Sequence, residues 1–461
     1  MKKKSPDNQR GAVVILLALV MVVLLAVTGL AIDSGIGYGV KAKLNAALDA
    51  AALAGARAVA TGASDEARQE AAQAAGEKFF AANFPTGWLG ATPGTPEISA
   101  VHNANGSWTV SASASATVPT TFMHILGHDL LTVTAAAEAT RRDLDMELVI
   151  DTSGSMGEPP EALDRIKTAA SQFVGLFNDD TGGDRIGLVT FSSGAVLNAE
   201  INKDASRGFD KRKIQNAISH LSPESTTASE WGMQRAVADM QAIPVELRSS
   251  LRVIVFFSDG APNTIAANFM HNGSPTAAAL FSETRTTGHA NSSDPARHFY
   301  NHNALNDDHN PFGTWNDATT LPAIGLGGVE LKSYNDARIL ANYGSNPSYP
   351  YRNTLCNVNK ASRNMVENVA NSARENNILV FTLGFNGSDR LNNYEIDFDG
   401  GDCGYGTEEY GANILQRLAN TTAADKSNSA QPRGLCIIFD DPDEAEDAFA
   451  QVASEILRLS R

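Results

Sequence analysis

The stretch ELVIDTSGSMG, residues 147–157, ends an apolar run on an aspartate that small hydroxyl residues follow. Asp151, Ser153 and Ser155 are separated by one residue each. In extended backbone, side chains two residues apart face the same way, so these three oxygen-bearing side chains can converge on one point. Aspartate and serine are also common turn and N-cap residues, so the stretch alone leaves an ordinary strand-to-helix turn open.

Apolar strands and amphipathic helices alternate from residue 143 to residue 461. Strands are predicted at 146–151, 184–192, 195–201, 251–259, 378–385 and 435–441, and helices at 160–177, 211–221, 229–243, 362–377 and 443–460. Strands this apolar are covered by helices on both faces, which predicts an α/β fold with a doubly wound, mostly parallel sheet. Long inserts at about 261–354 and 386–411 leave from the carboxyl ends of strands, where such sheets bind ligands.

A cation site at the carboxyl edge of the sheet needs further oxygen ligands from neighbouring loops, and candidates follow later in the chain. Thr226 and Thr227 precede a predicted helix, and Asp259 ends the next long strand. Carboxylate and hydroxyl oxygens are hard ligands that suit Mg²⁺, Mn²⁺ or Ca²⁺. The sequence therefore predicts a divalent-cation site on several loops of one sheet edge.

These motifs resemble the von Willebrand factor A domain and its metal-ion-dependent adhesion site. The family pattern DxSxS matches Asp151, Ser153 and Ser155, and its T/S-D-G motif falls on residues 258–260. The family threonine falls on Thr227, with Thr226 as the alternate. The resemblance implies that Ser153, Ser155 and Thr227 ligate the metal directly, while Asp151 and Asp259 act largely through bound water. It also implies that an open coordination position takes a carboxylate from a protein partner.

The N-terminus predicts a membrane anchor. Residues 1–11 are basic, and Ala12 to Ile32 are 21 residues without a charge, long enough to cross a bilayer as a helix. Cations before the span and Asp33 after it predict an N-in orientation in the inner membrane, with the bulk of the chain periplasmic or extracellular. A cleaved signal peptide is the alternative.

Residues 33–142 are predicted to form a small α+β, pilin-like region: a helix continuing from the span, a second helix to about Asn83, and strands near 107–118 and 131–141. Residues 10–57 resemble TadE/TadG-like proteins of Flp (tight-adherence) pilus assembly, with Asp49 of NAALDAAALA at the family's aspartate. The family order, with a von Willebrand A domain following, is the order seen here. Prepilin processing requires a glutamate at the fifth position after the cleavage glycine. If Gly11 is that glycine, Leu16 occupies this position, so the apolar span is expected to remain uncleaved as an anchor.

Several other functions and sites are disfavoured. The net charge of −16 argues against nucleic-acid binding, and neither a GxSxG elbow nor a GxxxxGK[ST] loop occurs, so no enzyme is predicted. A second cluster of His298, His302, His309, Asp307 and Asp308, and an acidic loop with Asp397, Asp399 and Asp402, are interpreted as solvated loops.

The three cysteines, Cys356, Cys403 and Cys436, permit three pairings in an exported protein. Cys356–Cys403 is preferred because both residues flank inserts on the same edge. Cys436 is expected to be a core thiol because it lies in an apolar strand.

The functional hypothesis is a membrane-anchored, non-enzymatic assembly or adhesion factor of an Flp-type pilus. It would bind a partner carboxylate through the cation site, and pilus or pseudopilin-like subunits through the Ala-rich helix, unless those alanines serve only internal packing. A structural envelope protein whose metal only stabilises the domain, and an adhesin released to the surface, are the alternatives.

Overall fold

The computed structural model describes residues 10–59, 64–103, 107–179, 183–282, 291–305, 312–334, 338–392 and 403–460. The chain divides into two compact units, Met1–Arg141 and Arg142–Arg461. Each unit has hydrophobic cores of its own.

The first unit begins with one uninterrupted helix, α1 (Arg10–Ala58), which is followed by α2 (Asp65–Asn83). Residues 13–28 of α1 are exposed. Within the described part of the chain, α1 is the helix long and apolar enough to cross a bilayer. Its second half is buried by α2 and by a small sheet, because Val40, Leu44 and Leu48 pack in one core with Phe80 and Val118.

One side of the Ala-rich part of α1 is buried inside this unit. Ala47, Ala51 and Ala52 are buried in the core that α1 shares with α2 and the sheet. Small side chains let neighbouring backbones approach closely, so these three alanines serve internal packing and are not a free recognition surface. Asp49, by contrast, is exposed on the opposite side of the helix.

The small sheet contains more strands than the sequence predicted. Its strands are β1 (Thr92–Pro93), β2 (Glu97–His102), β3 (Ser107–Pro119) and β4 (Leu130–Arg142). β1 and β2 pair antiparallel with β3, and β4 also pairs with β3. The two strands predicted here correspond to β3 and β4. The two-residue β1 is too short to give a periodic signal, whereas the six-residue β2, in which Ile98 and Ala100 alternate, was not predicted.

The second unit is built from alternating strands and helices. These are β5 (Leu144–Asp151), α3 (Ala162–Gly175), β6 (Arg185–Phe191), β7 (Ala195–Ala199), α4 (Lys211–Ser219), α5 (Ser229–Gln241), β8 (Leu251–Ser258), β9 (Thr264–His271), β10 (Ser274–Phe281), β11 (His298–Tyr300), β12 (Gly313–Thr314), β13 (Thr320–Leu321), β14 (Tyr351–Arg352), α6 (Leu355–Glu375), β15 (Leu379–Phe385), α7 (Gly411–Leu418), β16 (Cys436–Phe439) and α8 (Ala445–Leu459).

The main sheet has the strand order β16-β15-β8-β5-β6-β7. All neighbouring strands are parallel except β7, which pairs antiparallel with β6. Successive residues of β5 enter different cores: Leu148 packs with α3, α4 and α8, and Val149 packs with α5, α6 and α7. The predicted doubly wound, mostly parallel fold is therefore confirmed, and β5 occupies its centre.

The first insert is more ordered than its sequence suggested. β9 and β10 form an antiparallel hairpin that continues through β11 to β12 as a four-stranded sheet. Asn272 and Gly273 form the two-residue turn with φ of 49° and 76°, the left-handed conformation that an Asn-Gly hairpin turn requires. The Asn-Gly pair marks this hairpin in the sequence, although the low periodicity of the insert did not indicate strands.

Candidate metal centre

Asp151 ends the central strand β5 and is completely buried. Its Oδ1 accepts a 2.8 Å hydrogen bond from the Ser153 N–H, and its Oδ2 accepts a 2.6 Å bond from the Ser258 hydroxyl. Burial raises the pKa of Asp151 to about 6, and the bonds from Ser258 and Ser153 act in the opposite direction. Both carboxylate oxygens are thus held by neighbours at the carboxyl edge of the sheet.

Ser153, Ser155 and Asp259 form a chain of oxygens at the same edge. The hydroxyl oxygens of Ser153 and Ser155 lie 3.0 Å apart, and the Ser155 hydroxyl donates a 2.8 Å bond to Oδ1 of Asp259. Ser153 and Asp259 are each only 1% exposed, whereas Ser155 is half-buried. The cluster is therefore fixed from inside the protein and reaches solvent at Ser155.

Gly154 brings a second loop against this turn. The Gly154 N–H donates to the Ser225 carbonyl at 3.1 Å, and the Glu224 N–H donates to the Thr152 carbonyl at 2.7 Å. A Cβ at position 154 would lie 2.7 Å from the Glu224 carbonyl oxygen, so a larger residue would push the loops apart. The glycine of the motif thus permits the loop before α5 to lie against the turn.

Thr227 stands at the end of that second loop, just before α5, and is 4% exposed. Its N–H donates to Oδ1 of Asn263 at 2.8 Å, and its carbonyl accepts from the Asn263 N–H at 3.1 Å. Asn263, four residues after Asp259, was missed by the sequence analysis because no motif marks it. The hydroxyl oxygen of the alternate, Thr226, accepts a 2.8 Å bond from the Thr264 hydroxyl.

The chemistry of these side chains fits a hard divalent cation. Oxygen ligands about 2.1 Å from a six-coordinate Mg²⁺ lie about 3 Å from one another, close to the 3.0 Å that separates the hydroxyl oxygens of Ser153 and Ser155. Within the described ranges, no three His, Cys, Asp or Glu side chains converge, so a zinc-type donor set is not found there.

The structure also places the remaining candidates. Cys356 and Cys403 are joined by a disulfide with a Cα–Cα distance of 5.5 Å, which links the start of α6 to the second insert. Cys436 is a free thiol in β16, and burial raises its pKa to about 11. Of the histidines interpreted as part of a solvated loop, His298 instead lies half-buried in β11, and the His302 carbonyl accepts a 2.7 Å bond from the indole N–H of Trp231. Asp307, Asp308 and His309, and the acidic Asp397, Asp399 and Asp402, lie outside the described residues.

Two family models match this chain. Residues 146–261 match the von Willebrand factor type A domain, and residues 11–58 match the putative Flp pilus-assembly TadE/G-like segment. The chain thus carries the predicted combination of a TadE/G-like segment followed by a von Willebrand A domain. No curated protein matches it.

Solved structures give weaker similarities. The vWF domain of the type V pili tip protein Mfa5 from Porphyromonas gingivalis is 17% identical, with coverage of 70% of this chain and 98% of that chain and a TM-score of 0.40. The open conformation of the pilus adhesin SpaC from Lactobacillus rhamnosus GG is 16% identical, with coverage of 79% and 34% and a TM-score of 0.38. A von Willebrand factor type A structure from Catenulispora acidiphila is 11% identical, with coverage of 78% and 50% and a TM-score of 0.33. This chain thus aligns with about a third of the SpaC chain.

Proposed function

We propose that this protein, which carries a TadE/G-like segment and a von Willebrand A domain, is a non-enzymatic assembly or adhesion factor of an Flp-type pilus. It is anchored in the inner membrane by α1 with its N-terminus in the cytoplasm, and its second unit binds a carboxylate of a protein partner through a divalent cation. The observation that carries the proposal is the Ser155 hydroxyl, which contacts both the Ser153 hydroxyl and Asp259 at the solvent-facing end of a buried cluster.

The orientation of the anchor follows from the charges at its two ends. Lys2, Lys3, Lys4 and Arg10 precede the apolar span, and Asp33 follows it. Positively charged flanks stay on the cytoplasmic side of a membrane, so this asymmetry supports the N-in topology. Both compact units would then have access to pilus subunits outside the cytoplasm.

The residues of the site divide into ligands and supports. Ser153, Ser155 and Thr227 would hold the cation directly, and Asp151 and Asp259 would hold it largely through water. The bound cation would supply a Lewis-acidic position for a partner carboxylate. Asp151 itself is oriented by the hydroxyl of Ser258, and Thr227 is oriented by Asn263.

An adhesive role agrees better with this donor set than hydrolysis does. The site combines two carboxylates with hydroxyl groups, and a two-metal hydrolase would need additional His and carboxylate ligands. Asp151 has both oxygens engaged by Ser153 and Ser258, which leaves it poorly placed to attack a substrate.

The test is a cross-linked pull-down of the full-length protein from native envelopes, with Mg²⁺ or with EDTA. Wild-type protein is compared with Ser155→Ala and Asp259→Asn, and with Ser171→Ala as a matched control on α3. Pilus subunits should be recovered with wild type and Ser171→Ala in Mg²⁺, and should be lost in EDTA and in both site variants.

Two outcomes would contradict the proposal. Recovery of the same partners in every condition would mean that the metal site makes no contact with them, as expected of a structural envelope protein. Recovery of intact protein from the medium instead of the membrane would indicate a released adhesin.

A further inference from the structure

The loop between β3 and β4 is fastened to α1 at the end of the predicted span. The N–H groups of Thr121, Phe122 and Met123 donate to the Asp33 carboxylate at 3.0, 2.9 and 2.7 Å. Asp33 is only 3% exposed although it lies one residue beyond the uncharged run. Three charge-assisted hydrogen bonds to one buried carboxylate fix the position of this loop on the helix.

From Asp33 the loop extends back along the span. A Cβ on Gly29, one turn earlier in α1, would lie 2.4 Å from Cβ of Phe122, so the absence of a side chain at position 29 lets Phe122 lie directly on the helix. The loop and helix together form a groove of about 330 Å³, lined by Val22, Leu25, Ala26, Leu30, Phe122, Met123 and Ile125. All of these residues belong to the first unit.

Helix geometry gives the position of the groove along the predicted membrane span. Val22 precedes Asp33 by 11 residues, or about 16 Å at 1.5 Å per residue, so the groove lies along the half of the span next to Asp33. The exposed side chains continue from helix to loop, since Val22 is 64% exposed, Ile125 79% and Leu130 62%. The apolar surface of the loop is therefore continuous with the surface that the span presents to lipid.

We propose that the apolar side chains of this loop, Phe122, Met123 and Ile125, are inserted in the leaflet of the bilayer next to Asp33, and that lipid acyl chains occupy the groove. Apolar side chains this exposed are unfavourable in water and cost nothing in hydrocarbon, whereas the loop's buried N–H groups are already satisfied by Asp33. The loop's polar side chains His124 and Asp129 are bonded to each other, with Nδ1 of His124 2.5 Å from Oδ1 of Asp129. The inference rests on the membrane anchor alone and is independent of the metal site.

Insertion of the loop would hold the first unit at one depth and in one orientation relative to the membrane. A lone helix can rotate about its axis and change its depth, whereas a helix with an attached apolar loop presents one face and one depth to the bilayer. The loop would thus set which surface of the first unit faces neighbouring subunits in the plane of the membrane.

The test places an environment-sensitive fluorophore on the loop of the full-length protein. In a Cys436→Ser background, Ile125→Cys is labelled with a nitrobenzoxadiazole dye. Val101→Cys is the matched control, because Val101 is a 54% exposed apolar residue of β2 in the same unit. Each protein is placed in phosphatidylcholine nanodiscs at one copy per disc, with or without doxyl-labelled phosphatidylcholine.

Doxyl lipid should quench the label at position 125 severalfold more strongly than the label at position 101. Equal quenching at the two positions would overturn the proposal. The measurement is repeated with two copies per disc, and loss of quenching at position 125 there would also overturn the proposal, because a second copy and not lipid would then occupy the groove. Neither result depends on Mg²⁺, so failure here is distinguishable from failure of the adhesion proposal.

Discussion

The Ser258 hydroxyl donates a 2.6 Å hydrogen bond to Oδ2 of Asp151 between the ends of two neighbouring parallel strands. The register of β5 and β8, which pairs Ile150 with Phe257, places these two residues next to each other. Ser258 immediately precedes Asp259, so one strand end supplies both a support for Asp151 and a candidate metal ligand. The family signatures describe two separate motifs, and the sheet joins them into one site.

Removal of that hydroxyl should weaken both the fold and the site. Ser258→Ala leaves a buried carboxylate oxygen without its side-chain donor, which typically costs about 1–3 kcal/mol in the free energy of unfolding. Chemical denaturation of the second unit in EDTA measures this cost. Ser258→Thr keeps the hydroxyl and should lose less, and Ser171→Ala should be near wild type. A fully stable Ser258→Ala protein would show that the bond does not support Asp151.

Added Mg²⁺ should stabilise the wild-type protein. A ligand that binds only the folded state at about 100 times its Kd stabilises by about 2.7 kcal/mol. We expect the thermal transition to rise with Mg²⁺, to return on addition of EDTA, and to stay unchanged in Asp259→Asn. If Asp259→Asn and wild type respond equally, Mg²⁺ binds somewhere other than the predicted site.

Glu230 should make stability depend on pH. It is buried in the first turn of α5, where Oε1 accepts a 2.5 Å bond from the Ala266 N–H and Oε2 has no hydrogen-bond partner among the described residues. Burial raises its pKa from 4.5 to about 8. The folded state therefore binds the proton more tightly than the unfolded state, and stability falls as pH rises from 4.5 to 8.

Glu230→Gln should remove this contribution while keeping an oxygen acceptor for Ala266. The difference in unfolding free energy between variant and wild type should shift in favour of the variant by on the order of a few kcal/mol between pH 5 and pH 8. Denaturation at several pH values measures the shift. Glu246→Gln, on an exposed residue, is the control. Parallel profiles for wild type and Glu230→Gln would contradict a protonated Glu230.

Glu367 should contribute strongly to the stability of the region where the inserts pack, because it pairs with two buried arginines. Its Oε1 lies 2.7 Å from Nη2 of Arg338 and 2.7 Å from Nε of Arg417, and Arg338 also contacts Glu409 at 2.6 Å. Burial acts to raise the pKa of Glu367, but the two arginines outweigh it and lower the pKa to about 2. The group thus contributes stability above pH 4.5, which is lost as pH falls toward 2.

Glu367→Gln leaves the two guanidinium groups without their shared anion, and loss of one partner of a buried pair costs about 3–5 kcal/mol. Thermal unfolding at neutral pH measures this loss, with the exposed Glu330→Gln as control. A loss no larger than that of Glu330→Gln would mean that solvent or Glu409 compensates the arginines.

The main fold was predictable because its signals are local. The alternation from β5 to α8 depends on apolar periodicity, and an apolar run such as 251–258 can be covered only from both faces of a sheet. Short or polar strands carry no such signal. β1 was missed for that reason, whereas β2 and the β9–β10 hairpin were not predicted although Ile98 and Ala100 alternate in β2 and Asn272–Gly273 marks the hairpin turn.

The sequence by itself determined the chemistry of the protein: an apolar span, an α/β unit, and oxygen-bearing residues at Asp151, Ser153, Ser155, Thr227 and Asp259. Only the tertiary structure decided which residues hold these side chains and segments in position. The contacts Ser258–Asp151 and Asn263–Thr227 join residues that are 107 and 36 positions apart, and the Asp33 contact with Phe122 joins residues 89 apart. Such contacts depend on strand register and on the path of loops, which no short motif encodes.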